Sequence, residues 1–249
     1  MWQRPNHLLS RVARDVPVIV LEEPLLSGRD EDVVSRDGAL TVVTPHRGGA
    51  TADAVDARAL ATVRELAGER RPLVWLYTPM MVALADAFAG APVVFDKMDE
   101  LSKFAQADPR IAPREDVVLE RAAIAFSGGR SLFRSLEGRT ANARCYPSGV
   151  DVEHFAQART AEPHPALASL RGRRVFGYVG VIDERVDLAL VDALAAAYPD
   201  AAVAMVGPLA KIEESALPRR ANIAYLGKRE YAELPSLLAG FDVALMPFA

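Results

Sequence analysis

Residues 175–206 read VFGYVGVIDERVDLALVDALAAAYPDAAVAMV, in which two short apolar runs flank a polar turn and an Ala- and Leu-rich stretch. The β-branched and aromatic residues favour strands at 175–179 and 202–206, and the apolar spacing at 185–198 favours a helix. Both strands are apolar throughout, which is typical of strands covered on both faces. The stretch therefore predicts a strand, helix and strand of a parallel α/β sheet.

The same alternation continues along the rest of the chain. In the first half, the β-branched runs predict strands at 17–21, 40–43, 73–77, 92–95, 123–126 and 144–146. The helical spacing between these runs predicts helices at 5–14, 51–67, 80–89, 114–122 and 130–136. The second half adds strands at 223–226 and 243–246 and a helix at 231–239. We therefore predict an α/β protein with two Rossmann-like domains.

The stretch 157–174 separates the two series. It contains Pro163 and Pro165 and ends in a basic cluster, and its apolar residues have no clear period. This pattern favours an interdomain linker. The predicted domains are therefore residues 1–158 and residues 175–249, joined by a linker at 159–174. Because about four strands follow the linker and no helix follows the last of them, we expect the second domain to be incomplete.

Composition and charge exclude several functional classes. A formal charge of -4 gives no general attraction to phosphate backbones, so we expect no nucleic-acid partner. The one cysteine, Cys145, allows no intramolecular disulfide, and no Cys and His group has the spacing of a zinc site. The sequence has neither a secretion signal nor an apolar run of ~20 residues. We expect a cytoplasmic protein without a bound metal and with at most a peripheral membrane contact.

A charged cluster follows the predicted strand at 92–95. Asp96, Lys97, Asp99 and Glu100 lie directly after this strand, at the end where parallel α/β sheets bind their ligands. Carboxylates accept hydrogen bonds from several hydroxyl groups at once, as a sugar acceptor would require. We therefore take Asp96, Asp99 and Glu100 as candidate catalytic residues. The alternative is a solvated loop that caps a helix.

The loop after the predicted strand at 123–126 has the features of an anion site. Ser127, Gly128, Gly129 and Arg130 open a predicted helix, where backbone N–H groups and the helix dipole attract anions. We expect these four residues to line the ligand site, and a tight strand-to-helix turn is the alternative. Neither this loop nor the GYVG sequence at 177–180 is a complete dinucleotide fingerprint, because the third glycine is missing.

Two loops of the second domain supply cations. Gly180 begins the sequence GVIDER between the first strand and the first helix of that domain, and Arg185 ends it. Lys211 lies in the loop after the next strand. Gly180, Arg185 and Lys211 are therefore candidate residues for binding a diphosphate. Both cations could equally be ordinary surface residues.

Together, these stretches resemble a bacterial subfamily of GT-B glycosyltransferases. Residues 2–9 (WQRPNHLL) are similar to the W-Q-R-P-Q-H-L opening of that subfamily, with Asn6 in place of the usual Gln. Further similar stretches, in the same order, are 22–24 (EEP), 77–80 (YTPM), 96–101 (DKMDEL), 127–132 (SGGRSL), 180–185 (GVIDER), 205–208 (MVGP) and 245–248 (LMPF). Residues 147–151 (PSGVD), followed by Phe155, resemble the P-N-G-V-D…F signature of the wider family-four retaining transferases.

The resemblance implies two domains that face a cleft, the first for an acceptor and the second for a nucleotide sugar. It implies transfer of a sugar from a UDP- or GDP-type donor to a hydroxyl, with retention of configuration and without a metal or other cofactor. In the wider family, an Arg and a Lys in the first loop of the second domain stabilise the leaving diphosphate. Arg185 matches the Lys position. The Arg position falls near Val181, so that charge is either absent or supplied from elsewhere, with Lys211 as the candidate.

The resemblance also implies a shortened chain. The family has a strand before W-Q-R-P and a carboxylate-containing donor segment after the stretch similar to residues 245–248, and neither has a counterpart here. We therefore expect weak or no transfer by residues 1–249, and measurable transfer would contradict this. Related enzymes serve cell-surface polysaccharides and glycolipids, which implies a saccharide or lipid-linked acceptor reached at the inner face of the plasma membrane.

Two other functions fit the same pattern. A nucleotide-sugar epimerase shares the domain plan and the nucleotide site, and it would isomerise a free nucleotide sugar without an acceptor. A non-catalytic α/β binding fragment is the other alternative, and a fragment without a nucleotide site would give no heat with UDP or GDP.

Overall fold

In the computed structural model the chain folds into two packing units, and the boundary between them lies between Gly149 and Val150. The structure describes residues 3–104 and 107–248, so Trp2 of the opening stretch lies outside the described residues. Within these two ranges, no helix is long and apolar enough to cross a lipid bilayer. Each unit is built around its own parallel strands, which confirms the predicted α/β class.

The first sheet of the first unit is organised around its longest strand, β4. Its elements are α1 (Arg4–Val12), β1 (Val18–Leu21), β2 (Leu25–Leu26), β3 (Asp32–Asp37), β4 (Leu40–Arg47) and α2 (Ala52–Ala67). β4 runs parallel to β1 and β2 and antiparallel to β3. The sequence analysis missed β2 and β3. β3 is mostly exposed and reads DVVSRD, so it lacks the apolar signal by which buried strands are recognised.

The second sheet of the first unit is entirely parallel. Its strands are β5 (Val74–Leu76), β6 (Val93–Lys97), β7 (Ala122–Ser127) and β8 (Ala143–Cys145), hydrogen-bonded in that order. Its helices are α3 (Ala83–Ala87), α4 (Ile111–Arg121) and α5 (Arg130–Arg134). Leu76, Phe95 and Val118 form the centre of its buried core. The order of the strands brings the carboxyl ends of β6 and β7 next to each other.

The predicted helix at 80–89 is divided in the structure. A 3-10 turn, Pro79–Met81, precedes the short helix α3. The hydroxyl of Thr78 accepts a hydrogen bond from the backbone N–H of Met80, which starts the chain in a tight turn. The apolar spacing alone could not show this turn, because a 3-10 turn and an α-helix bury similar positions over so few residues.

The second unit contains one four-stranded parallel sheet. Its helices are α6 (Val152–Ala156), α7 (Leu188–Ala197) and α8 (Leu234–Ala239), and its strands are β9 (Val175–Val179), β10 (Ala202–Val206), β11 (Ile223–Gly227) and β12 (Val243–Ala244). The strand order is β11, β10, β9, β12. All five residues of β10 are buried, because apolar clusters cover both faces of the sheet. α7 begins later than predicted, since Asp187 caps it by accepting from the N–H of Leu190.

The stretch predicted as a linker, 159–174, packs on the second unit. Pro165–Leu170 forms a 3-10 helix, and Leu167 and Leu170 are buried in a cluster with Leu237 and residues of β10. His164 begins this helix, and its ring nitrogen accepts from the N–H of Ala166. The sequence did not predict that these two leucines are buried, because the prolines interrupt the helical spacing of apolar residues.

Candidate functional site

Two loops of the second unit are joined at the carboxyl edge of its sheet. In the loop after β9, the N–H of Ile182 donates a hydrogen bond to the carbonyl of Pro208 at 3.0 Å. The N–H of Ala210 donates one to the Ile182 carbonyl at 3.1 Å. Gly180 N–H also bonds the carbonyl of Val206 at 2.9 Å. These bonds extend the pairing of β9 and β10 beyond the strands. The loops that carry Arg185 and Lys211 are therefore neighbours, as expected for a ligand site in a parallel sheet.

Gly207 allows this close approach. Its φ is +147°, a conformation that residues with a side chain rarely adopt, and a Cβ there would overlap the carbonyl oxygen of Gly180. The obstacle is backbone, so it cannot rotate away as a side chain would. The glycine that follows β10 is thus required for the spacing of the two loops.

We expect Gly207→Ala to lower the free energy of unfolding by about 2–3 kcal/mol, because the added methyl group forces the loops apart. Gly227→Ala is the matched control, since Gly227 also has a positive φ (+68°) but open space around it. Its cost should be only about 1 kcal/mol, the cost of the left-handed backbone alone. Urea denaturation of the two variants measures the difference. Equal losses would show that the loops do not constrain each other.

Arg185 is held by the carboxylate of Asp183. Its Nε lies 3.1 Å from both carboxylate oxygens and its Nη2 lies 2.7 Å from one of them, while its backbone N–H bonds the same group. Asp183 is 4% exposed, whereas about half of the Arg185 side chain is exposed. Burial would raise the pKa of Asp183, but the hydrogen bonds from Arg185 outweigh it and hold that pKa below its usual value. The guanidinium is thus held at the sheet edge by a bidentate ion pair.

Lys211 lies on the adjacent loop and contacts Glu184. Its Nζ is 3.3 Å from the Glu184 carboxylate, and 52% of the Lys211 side chain is exposed. Its φ is +61°, the only positive value at a residue other than glycine in the described part of the chain. A non-glycine residue in this region carries strain, and such strain is concentrated at functional sites. The structure therefore brings together Gly180, Arg185 and Lys211, the three residues that the sequence selected for a diphosphate.

The three carboxylates selected in the first unit have different surroundings. Asp96 is 0% exposed, and both of its oxygens accept from Nε of Arg4 at 3.0 and 3.1 Å. Arg4 also donates to the Tyr146 carbonyl at 2.8 Å. Asp96 therefore fixes α1 to the second sheet of this unit. The sequence analysis quoted Arg4 in the opening stretch but gave it no role, because its partner lies 92 residues away.

Glu100 belongs to a buried ion network. Lys97, which is 1% exposed, donates to Glu100 at 2.7 Å and to Glu115 on α4 at 2.8 Å. Arg139 adds a second cation to Glu115 at 2.6 Å. Burial opposes the charge on Glu100, but the contacts with Lys97 outweigh it and keep the pKa of Glu100 below its usual value. Of the three predicted carboxylates, Asp99 is the exposed one.

The predicted glycine loop meets the acidic loop. Gly128 N–H donates to the Lys97 carbonyl at 2.9 Å, and Ser148 N–H donates to the Gly128 carbonyl at 3.0 Å. Ser127 is buried, and its hydroxyl has no hydrogen-bond partner among the described residues. Gly129 precedes α5, and Arg130 is exposed at its first turn. The two loops after β6 and β7 are therefore joined by a backbone hydrogen bond at the carboxyl edge of the sheet.

Comparison with known proteins establishes the fold. No protein-family model matches the chain, and no curated protein matches its sequence. An α,α-trehalose-phosphate synthase (UDP-forming) from Burkholderia xenovorans, solved with glucose-6-phosphate, superimposes with a TM-score of 0.66 at 15% identity, over 98% of this chain and 75% of that one. The E. coli trehalose-6-phosphate protein bound with UDP-2-fluoro glucose gives 0.65 at 11% identity, over 98% and 74%.

A third solved structure is similar over a shorter region. HepE from Anabaena, solved with UDP and glucose, has a TM-score of 0.60 at 19% identity, over 83% of this chain and 61% of HepE. This chain thus spans about three fifths of HepE and three quarters of the synthases. At these identities the similarity concerns the fold. The chain therefore shares the Rossmann-like α/β fold of the GT-B glycosyltransferases, which confirms the fold expected from the sequence.

Proposed function

We propose that this protein is a glycosyltransferase that binds a nucleoside diphosphate sugar at the carboxyl edge of the second unit's sheet. The observation that carries the proposal is the backbone pairing of the two loops after β9 and β10, because one loop carries Arg185 and the other carries Lys211. Two cations on a fixed backbone suit the two phosphates of such a donor. The shared fold supports the same class, since HepE, solved with UDP and glucose, and the E. coli protein bound with UDP-2-fluoro glucose have it too.

The reaction we propose is transfer of the sugar to a hydroxyl of a saccharide or lipid-linked acceptor. Arg185 and Lys211 would stabilise the charge that develops on the leaving diphosphate. Asp99 is the exposed carboxylate for an acceptor hydroxyl, while Asp96 and Glu100 shape the loop that carries it. Retention of configuration, independence of metal and the W-Q-R-P-Q-H-L subfamily are proposed from the sequence resemblance alone.

The proposed role in the cell is assembly of cell-surface polysaccharide or glycolipid at the inner face of the plasma membrane. This setting is also proposed from the resemblance. It requires only peripheral contact with the membrane, which is compatible with the lack of a spanning helix in the described ranges.

Calorimetry with UDP and GDP tests the proposal directly. We expect one of the two nucleotides to bind, and uridine or guanosine without phosphate to bind much more weakly, because the proposed contacts are to the diphosphate. A product assay with the nucleotide sugar, with and without sugar acceptors, then separates transfer from isomerisation. Absence of heat with both nucleotides would rule out a donor site in this chain.

A further inference from the structure

Each cation of the proposed diphosphate site is paired with a carboxylate of the loop that follows β9. Arg185 is bound by Asp183, and Lys211 is bound by Glu184. Two positive and two negative side chains therefore lie at this sheet edge. A diphosphate that takes the place of either carboxylate on its cation has to open that ion pair.

The two ion pairs are unequal. Asp183 is almost fully buried and makes several short contacts with Arg185, including one to its backbone. Glu184 makes a single 3.3 Å contact with Lys211, and 29% of its side chain is exposed. An exposed pair with one long contact is weakly held, whereas a bidentate pair on a buried carboxylate is fixed. The pair that opens is therefore the one between Glu184 and Lys211.

Backbone hydrogen bonds hold the two loops together independently of this pair. Ile182 is hydrogen-bonded to the loop of Lys211 through both its N–H and its carbonyl. Lys211 itself is held in the left-handed backbone region. The Glu184 side chain is partly exposed, so it has room to rotate away from Lys211.

We propose that Glu184 is an internal competitor of the diphosphate: its carboxylate occupies the Lys211 ammonium until a diphosphate displaces it. Glu184 thereby lowers the affinity of the site for every anion that has to displace it. Weakly charged anions displace it poorly, so the site favours highly charged ligands. This inference rests on the diphosphate site proposed above and assigns a specificity residue to it.

The test is binding of UDP and of inorganic pyrophosphate to the Glu184→Gln variant. Both ligands should bind about two- to five-fold more tightly than to the unmodified chain, the range expected when an exposed ion pair is removed. Asp192→Asn is the matched control, because it removes the same charge from an exposed pair with Arg220. Arg220 precedes β11 and so lies at the other end of the strands. The control should leave both affinities unchanged.

A second variant separates competition from simple repulsion. In a Lys211→Met background, Glu184→Gln should no longer improve binding, because the ammonium for which Glu184 competes is gone. If the same gain persists there, Glu184 acts only through its long-range field and the proposal is overturned. A gain with pyrophosphate but no binding of UDP or GDP would support the inference and refute the nucleotide-sugar function. If neither the unmodified chain nor any variant binds pyrophosphate, UDP or GDP, both the competition by Glu184 and the nucleotide-sugar function are refuted.

Discussion

Replacing Lys97 with methionine should lower the free energy of unfolding by about 3 kcal/mol, because it removes a partner from the buried Glu115 and from the partly buried Glu100. Lys97 is 1% exposed and supplies the N–H donors for both Glu100 and Glu115. Methionine keeps most of the side-chain volume, so the loss reports the charge rather than a cavity. Arg139 remains on Glu115 and keeps the loss near the lower end of the range for broken buried pairs.

Arg121→Met is the matched control for this variant. It breaks the exposed pair between Arg121 and Asp86, and it should change the unfolding free energy by no more than ~0.5 kcal/mol. The pH dependence gives a further check. Because the folded pKa of Glu100 is below its usual value, its pairing stabilises the protein above that usual value and is lost as the pH falls. Lys97→Met should flatten this acid loss, and similar losses in both variants would contradict the buried network.

The strands that carry the proposed site could be recognised from the sequence because burial leaves a clear pattern. β9 and β10 are almost fully buried and read as continuous apolar runs, and the structure confirms both. β3 was missed because an exposed edge strand has no reason to be apolar. The residues 159–174 were assigned to a linker because two prolines hid the buried Leu167 and Leu170. Buried strands could therefore be predicted from the apolar pattern of the sequence. The prediction failed for an exposed strand and for a segment whose pattern is interrupted by prolines.

The candidate residues show a similar division. Arg185 and Lys211 could be selected because each follows a strand of a parallel sheet, and the order of the strands alone makes such loops neighbours. Their acidic partners could not be assigned, since a carboxylate next to a cation in the sequence does not always turn toward it. The pairing of Arg4 with Asp96 depends on how α1 packs against β6, which no local pattern records. The sequence thus predicted which loops carry the candidate cations, whereas the structure was needed to show which charges are already paired.

Replacing Arg185 with alanine should weaken the proposed reaction by about 10- to 1000-fold, as a lower kcat or a higher KM for the donor. The guanidinium is fixed at the sheet edge by Asp183, so it meets the diphosphate without having to be ordered first. Binding of UDP should fall as well. Calorimetry measures that binding, and a transfer assay with the nucleotide sugar measures the rate.

Asp183 makes controls necessary, because Arg185→Ala leaves a buried carboxylate without its partner and lowers stability. The double variant Asp183→Asn with Arg185→Ala removes both charges, so it should regain stability but not UDP binding. Arg220→Ala removes an exposed arginine of the same unit and should leave UDP binding intact. Arg185→Lys should be intermediate, since an ammonium keeps the charge but cannot be held through two nitrogens by one carboxylate. If Arg185→Ala binds UDP as the unmodified chain does, the arginine has no part in holding the diphosphate.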